Sequence, residues 1–344
     1  MTKTPLISSI LCICLVLTLI SCRHTYTLTA SDANRINISP AAISYYNTAF
    51  EQIRSQSIKA GKINFEQLYS SGLDHMKNAR TAADTYDAIR HVLAGLQDNH
   101  SFFQAPLGEG KSIITALSTK PGSFPFTTSI VEGQIGKIVL NSYNSIDEAD
   151  QHAIADSLYR AIAYMSTQQL NGLIIDFRVM EGGSAPPFLC AFAPLINKDM
   201  LLGYKDNRGH KAQITRYKNG VYYKDGRKIF RLAYLTNYTT PALSQLPIAI
   251  ITGRYTASAG EMILISFLGL PNVKLFGEPT YGVPTGKSNI FLADSAFISL
   301  TSSTTYDRLG HDYDGPVLPD QKLDLSATTD EELYALVKKW MATR

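Results

Sequence analysis

The sequence predicts an α/β fold in which strands alternate with helices, preceded by a smaller helical region. Residues 172–177 and 247–252 are almost wholly apolar, which is typical of parallel strands buried on both faces. The second stretch is followed closely by a helical pattern at residues 259–268. We therefore expect a layered core of strands and helices over most of the chain.

The beginning of the chain indicates export. Lys3 is followed by an apolar run at residues 6–20, which is shorter than the roughly 20 residues of a membrane-spanning helix and suits a signal peptide. The run ends in Ser21-Cys22, which resembles a bacterial lipoprotein processing site. We predict a signal peptide at residues 1–21, a lipid on Cys22 and anchoring in the cell envelope, preferably the outer membrane. An ordinary secretory signal is the alternative.

The composition argues against an internal disulfide and against a nucleic-acid partner. Cys12 and Cys14 would leave with the signal peptide and Cys22 would carry the lipid, so Cys190 has no partner for an internal disulfide. Cys190 lies in an apolar stretch, and we expect it to be a buried packing residue. The formal net charge is +3, without a basic patch of the kind that nucleic acids select, and no nucleic-acid partner is expected.

The helical region is expected within residues 22–105, after a polar tether that ends near residue 37. Ser39-Pro40 is a typical N-cap followed by proline at the first helical position, and predicts a helix to about residue 55. A second helix is expected at residues 65–80. Thr81 and Asp84 resemble a capping box that starts a third. The apolar face of this third helix has helical spacing and consists of Tyr86, Ile89, Val92, Leu93 and Leu96.

The core is expected to occupy residues 106–344. A short strand at residues 137–140 and a helix at residues 146–165 should precede the two buried strands. Residues 289–306 have the pattern of a hairpin, and a helix at residues 330–341 should end the chain.

Ser258 is the first candidate for chemistry. It lies between the strand at residues 247–252 and the helix that begins at Ala259. A serine there is exposed at a helix N-terminus, where the Ala259 N–H is free to stabilise an oxyanion. The same position suits a simple N-cap, and spacing alone does not separate the two interpretations.

Two further segments carry polar residues beside predicted elements. Asp176-Phe177-Arg178 ends a buried strand and precedes Gly182-Gly183, whose backbone can turn sharply and present N–H groups. His100 follows the end of the third helix, within Leu96-Gln97-Asp98-Asn99-His100. A lone histidine or glycine pair is more often structural than functional.

Taken together and in this order, the segments resemble the carboxyl-terminal processing (tail-specific) serine peptidases, including the core of tricorn protease. The family pattern has five parts. Here they read Leu96-Gln97-Asp98-Asn99-His100, Asp176-Phe177-Arg178 with Gly182-Gly183, Ser258-Ala259-Gly260-Glu261, Gly277-Glu278-Pro279-Thr280-Tyr281-Gly282, and Asp314-Gly315 with Pro319-Asp320. The resemblance implies a crotonase/ClpP-like core of stacked ββα units, a serine peptidase, a peptide or unfolded protein as substrate, and neither cofactor nor metal.

The resemblance also implies the roles of single residues. One branch of the family activates serine with a lysine just after the Gly-Glu-x-Thr-x-Gly motif, but Val283 stands there. The tricorn-like branch uses histidine and a carboxylate, which correspond to His100 and Asp314, acting on Ser258. Backbone N–H groups of Ala259 and of Gly182 or Gly183 would form the oxyanion hole. Met180 replaces a frequent asparagine, and Asp314 is one methylene shorter than the family's glutamate.

We expect no PDZ domain. Only about 30 residues separate Phe103 from Lys137, too few for the PDZ domain of many relatives. The same fold could serve as a noncatalytic lipoprotein that binds a peptide or an apolar ligand, since fold does not determine function. His311 with Asp312 favours a solvated turn over a metal site, and Tyr222-Tyr223 suits either a substrate groove or strand packing.

Overall fold

The computed structural model describes residues 37–106, 124–132, 134–145, 147–239 and 242–344. The predicted signal peptide, the lipid on Cys22 and most of the tether lie outside these residues. Within the described part of the chain, no helix is both long and apolar enough to cross a membrane.

The predicted N-terminal helical region is present. Helices α1 (Pro40–Gln56), α2 (Phe65–Asp74) and α3 (Tyr86–Gly95) precede a short strand, β1 (Phe102–Gln104). The predicted cap of α1 is confirmed, since the Ser39 hydroxyl accepts the Ala42 N–H at 3.2 Å. Helix α2 ends at Asp74, earlier than predicted, and residues 75–78 form a turn instead of continuing it.

A six-stranded sheet forms the centre of the core. Its order is β14-β10-β9-β4-β3-β2, and only β2 runs antiparallel to its neighbour. The strands are β2 (Phe126–Val131), β3 (Ile135–Leu140), β4 (Gly172–Asp176), β9 (Ile248–Thr252), β10 (Val273–Gly277) and β14 (Gln321–Lys322). The two predicted apolar stretches are β4 and β9, and all their residues are buried.

Helices cover both faces of this sheet. Leu173 and Ile175 of β4 belong to the main apolar core, whereas Ile174 packs on the opposite face against the C-terminal helix. The helices are α4 (Glu148–Met165), α5 (Pro186–Ile196), α6 (Ala259–Ile265) and α7 (Asp330–Met341). The predicted α/β core is therefore confirmed, and Cys190 is buried in α5 as expected.

An antiparallel sheet forms a second layer. Its main order is β1-β12-β5-β6-β7-β8, and β11 and β13 also pair with β12. The added strands are β5 (Met200–Asp206), β6 (Lys211–Tyr217), β7 (Gly220–Asp225), β8 (Lys228–Tyr234), β11 (Thr285–Phe291), β12 (Phe297–Tyr306) and β13 (Asp312–Tyr313). The hairpin predicted at residues 289–306 is β11–β12, although β11 begins four residues earlier.

The N-terminal helices pack on the β11–β12 hairpin. Apolar residues of α1–α3 share one buried cluster with Ile298 and Leu300 of β12. At the hairpin turn, the Asp294 carboxylate accepts hydrogen bonds from Tyr45 Oη at 2.6 Å and Tyr86 Oη at 2.5 Å. These contacts fix the segment that follows α3, which carries His100, relative to the hairpin.

Candidate active site

Ser258 stands at a sharp turn between β9 and α6. Its backbone has φ 50° and ψ −114°, a combination that costs a non-glycine residue about 1–3 kcal/mol. The Thr256 hydroxyl donates to Phe177 O at 2.9 Å and accepts the Gly253 N–H at 3.0 Å, which ties the turn to the end of β4. The strained turn presents the Ser258 side chain to a cavity instead of burying it with α6.

The Glu261 carboxylate stabilises this turn through hydrogen bonds. This buried carboxylate accepts the backbone N–H of Ser258 at 2.9 Å, of Gly282 at 2.9 Å and of Val283 at 2.8 Å. The Thr280 hydroxyl donates to it at 2.5 Å. Burial raises the pKa of Glu261, and these four hydrogen bonds oppose the rise by stabilising the charged form. One carboxylate thus joins the nucleophile turn to the Gly-Glu-x-Thr-x-Gly segment.

The structure brings His100 to Ser258. His100 Nε2 lies 3.2 Å from Ser258 Oγ, and His100 Nδ1 lies 2.7 Å from Thr285 Oγ1. In the tautomer that can accept the serine proton, Nδ1 carries a hydrogen and donates it to the Thr285 hydroxyl. Ser258, His100 and Thr285 thus form a chain of hydrogen bonds.

The surroundings of His100 favour its neutral form. Burial, reinforced by the positive charge of Lys287, lowers the pKa of His100 to about 4, and the nearby Asp98 carboxylate opposes this. At neutral pH the imidazole is therefore unprotonated. A neutral imidazole within hydrogen-bonding distance of a serine hydroxyl is able to act as a general base.

The expectation for Asp314 is corrected by the geometry. Asp314 follows β13, is exposed, and makes no hydrogen bond or ion pair with any described residue, His100 included. The pairing of β13 with the end of β12 leaves this side chain in solvent, while Thr285 at the start of β11 occupies the position beside His100 Nδ1. Sequence reasoning missed Thr285, which comes only two residues after Val283.

The predicted oxyanion donors surround the nucleophile. A Cβ on Gly182 would lie 2.9 Å from Ser258 Cβ, so this loop passes directly beside the serine. The loop is held by Tyr143 O, which accepts the Ser184 N–H at 2.7 Å. Among the described residues, no group accepts the N–H of Ala259 or of Gly183. Both remain predicted donors to an oxyanion, and Gly183 lines the same cavity as Ser258.

The cavity in front of the pair has a volume of about 1480 Å³ and lies between the β11–β12 hairpin and the strands β5–β8. Eight phenylalanine and tyrosine side chains line it. They are Phe102, Tyr204, Tyr223, Phe230, Tyr255, Tyr281, Phe291 and Phe297. Of the two tyrosines singled out in the sequence, Tyr223 thus faces the cavity. Such a cavity is large enough for several residues of an extended peptide.

Residues 134–323, more than half of the chain, match the model of Peptidase family S41. This chain belongs to peptidase family S41. The matched region contains Ser258, Glu261 and Thr285, whereas His100 lies before it. The family resemblance predicted from the five motifs is therefore confirmed.

Two relatives of this chain are a resistance protein and a processing peptidase. The nisin-resistance protein of Lactococcus lactis subsp. lactis is 22% identical over 284 residues, covering 82% of this chain and 84% of that protein. Carboxyl-terminal-processing peptidase 2, chloroplastic, of Arabidopsis thaliana is 26% identical over 208 residues, which cover 58% of this chain and 34% of that protein.

Solved structures establish the same fold. A lipoprotein from Streptococcus agalactiae aligns with a TM-score of 0.69 at 22% identity, covering 89% of this chain and 98% of that one. The photosystem II D1 C-terminal processing protease aligns with a TM-score of 0.56 at 17% identity, covering 86% and 94%. The predicted α/β core with an N-terminal helical region is thus a fold that these two structures share.

Proposed function

We propose that this chain is a serine peptidase that hydrolyses peptide bonds of exported or envelope polypeptides. The observation that carries the proposal is the Ser258–His100 pair, at 3.2 Å, opening into a cavity of peptide size. Membership of peptidase family S41 supports the class of reaction.

The reaction follows the general logic of a serine nucleophile and a histidine base. His100 Nε2 takes the proton of Ser258 Oγ as the oxygen attacks the carbonyl carbon of the scissile bond. The N–H groups of Ala259 and Gly183 stabilise the resulting oxyanion. His100 then gives the proton to the leaving amine, and water repeats the two steps on the acyl-enzyme. Throughout, the Thr285 hydroxyl holds Nδ1–H, taking the orienting role that Asp314 was expected to have.

The name of one relative, a carboxyl-terminal-processing peptidase, supports peptides as substrates. The aromatic walls of the cavity favour peptides with apolar side chains. We further propose that Cys22 carries a lipid and holds the enzyme at the envelope. This rests on the Ser21-Cys22 site after the apolar run, and a structural neighbour is also a lipoprotein.

A fluorophosphonate probe tests the activated serine directly. We expect the full chain, purified in detergent, to be labelled, and Ser258→Ala and His100→Ala each to abolish labelling. The matched control is Ser71→Ala, because Ser71 Oγ lies 2.8 Å from His91 Nε2 in a second serine–histidine pair outside the cavity.

Ser71→Ala should label like the wild type, and mass spectrometry should identify peptides that the wild type cleaves and Ser258→Ala does not. A folded wild type that neither reacts with the probe nor cleaves any peptide would contradict the proposal. The noncatalytic binding protein would then be the better interpretation.

A further inference from the structure

Six charged side chains line the cavity, and only two of them form an ion pair with each other among the described residues. They are Glu181, Asp206, Asp225, Arg208, His210 and Lys287, apart from His100 itself. His210 Nε2 lies 3.0 Å from Asp225 Oδ1, and Asp206 accepts the backbone N–H groups of Arg208 and His210, each at 2.9 Å. Glu181, Arg208 and Lys287 form no ion pair within the described residues.

Of the two cations among these three, Lys287 lies on the strand that carries Thr285. It lies on β11 two residues after Thr285, so the two positions are about 6–7 Å apart along the strand. Its ammonium lies 5.0 Å from the ring centroid of Phe102, the residue two after His100. The Lys287 side chain therefore lies in the same part of the cavity as the residues that hold His100.

Nothing in the described protein neutralises this ammonium directly. The nearest acid with an effect on it is Asp98, whose oxygens already accept the N–H groups of His100 and Ser101 and the Ser101 hydroxyl. The Lys287 side chain is exposed at the cavity surface, so a ligand can reach its ammonium. Partial desolvation lowers the pKa of Lys287 to about 8. An unpaired cation at the surface of a cavity can form a charge-assisted hydrogen bond with an anionic group of a ligand.

We propose that Lys287 binds a carboxylate of the substrate and makes the enzyme selective for peptides with an acidic group within about two residues of the cleaved bond. The group is either the C-terminal carboxylate or the side chain of Asp or Glu. This inference rests on the proposed peptidase function and adds the substrate chemistry of the same site.

The test compares matched peptides on matched variants. A peptide cleaved by the wild type is remade with its C-terminal acid as an amide, and separately with each nearby Asp or Glu as Asn or Gln. The ratio of kcat/KM for acid over neutral peptide is measured in the wild type, Lys287→Met and Lys287→Arg. We expect a ratio of about tenfold or more in the wild type, near one in Lys287→Met, and largely restored in Lys287→Arg.

Two further variants locate the effect. Lys274→Met is the control outside the cavity, because Lys274 also lies over an aromatic ring, Phe276, at 4.9 Å. Arg208→Met removes the other unpaired cation of the cavity. Both should keep the acid preference. Loss of the preference in Arg208→Met but not in Lys287→Met would overturn the assignment to Lys287.

Binding separates this inference from the peptidase proposal. Fluorescein-labelled acid and neutral peptides are titrated against Ser258→Ala and against Ser258→Ala with Lys287→Met, and anisotropy is recorded. Tighter binding of the acid peptide that disappears with Lys287→Met supports carboxylate binding by Lys287, even if the wild type cleaves nothing. Equal binding of both peptides, or no binding of either, refutes it, whatever the result of probe labelling.

Discussion

Replacing Thr285 by valine tests how His100 is oriented. Valine keeps the β-branched shape that suits β11 but removes the hydroxyl 2.7 Å from His100 Nδ1. A neutral hydrogen bond contributes about 0.5–1.5 kcal/mol net, and about 1.36 kcal/mol corresponds to a tenfold change in rate. We therefore expect kcat to fall between about twofold and about tenfold. This is far less than the loss of about 10⁴ seen when a triad carboxylate is replaced.

The assay is cleavage of a reporter peptide, together with the rate of fluorophosphonate labelling and the melting temperature. Thr285→Ser retains the hydroxyl and should recover most of the rate, which a merely structural effect of residue 285 would not predict. A Thr285→Val variant with the full rate of the wild type would refute the reasoning. So would a Thr285→Ser variant as slow as Thr285→Val with an unchanged melting temperature.

Three other predictions concern the same site. The value of kcat/KM should fall as pH decreases through about 4, because His100 is then protonated. Lys287→Met should move this fall to higher pH, because it removes a positive charge that lowers the pKa of His100. Glu261→Gln should lower the free energy of unfolding in urea by about 3 kcal/mol or more and abolish labelling, since an amide cannot accept four hydrogen bonds. Its control is Glu332→Gln, at the exposed capping box of α7, which should cost about 1 kcal/mol or less. Gly182→Ala should abolish labelling while the protein remains folded, because the new methyl group would meet the β-carbon of the nucleophile at 2.9 Å; normal labelling would argue against this close approach.

The sequence predicted those parts of the fold whose physical signal is local. Strands β4 and β9 are buried on both faces, and this produces unbroken apolar runs that few other structures share. Helix α7 has the predicted bounds because Thr329 and Glu332 form its capping box. Strands β5–β8 were not assigned, since their residues alternate irregularly between buried and exposed and carry many charges.

The sequence likewise predicted only those parts of the candidate site that have a local pattern. Ser258 and His100 belong to motifs that can be recognised in register, and the structure places them together. The partner of His100 Nδ1 depends on contacts between residues 185 apart in the chain, and on the pairing of β11 with β12, which shifts between Gly286 and Lys287. Short sequence motifs do not encode such a long-range register. The family resemblance therefore led to the expectation of a carboxylate at position 314.

The reacting groups come from three separate parts of the chain: the segment after α3, the turn after β9 and the start of β11. His100 meets Ser258 across 158 residues of sequence, so the pair exists only in the folded chain. An unfolded chain carries every one of these residues but does not bring them together. The proposed activity is therefore a property of the complete tertiary fold, because it requires the pairing of β11 with β12 and the packing of the N-terminal helices on that hairpin.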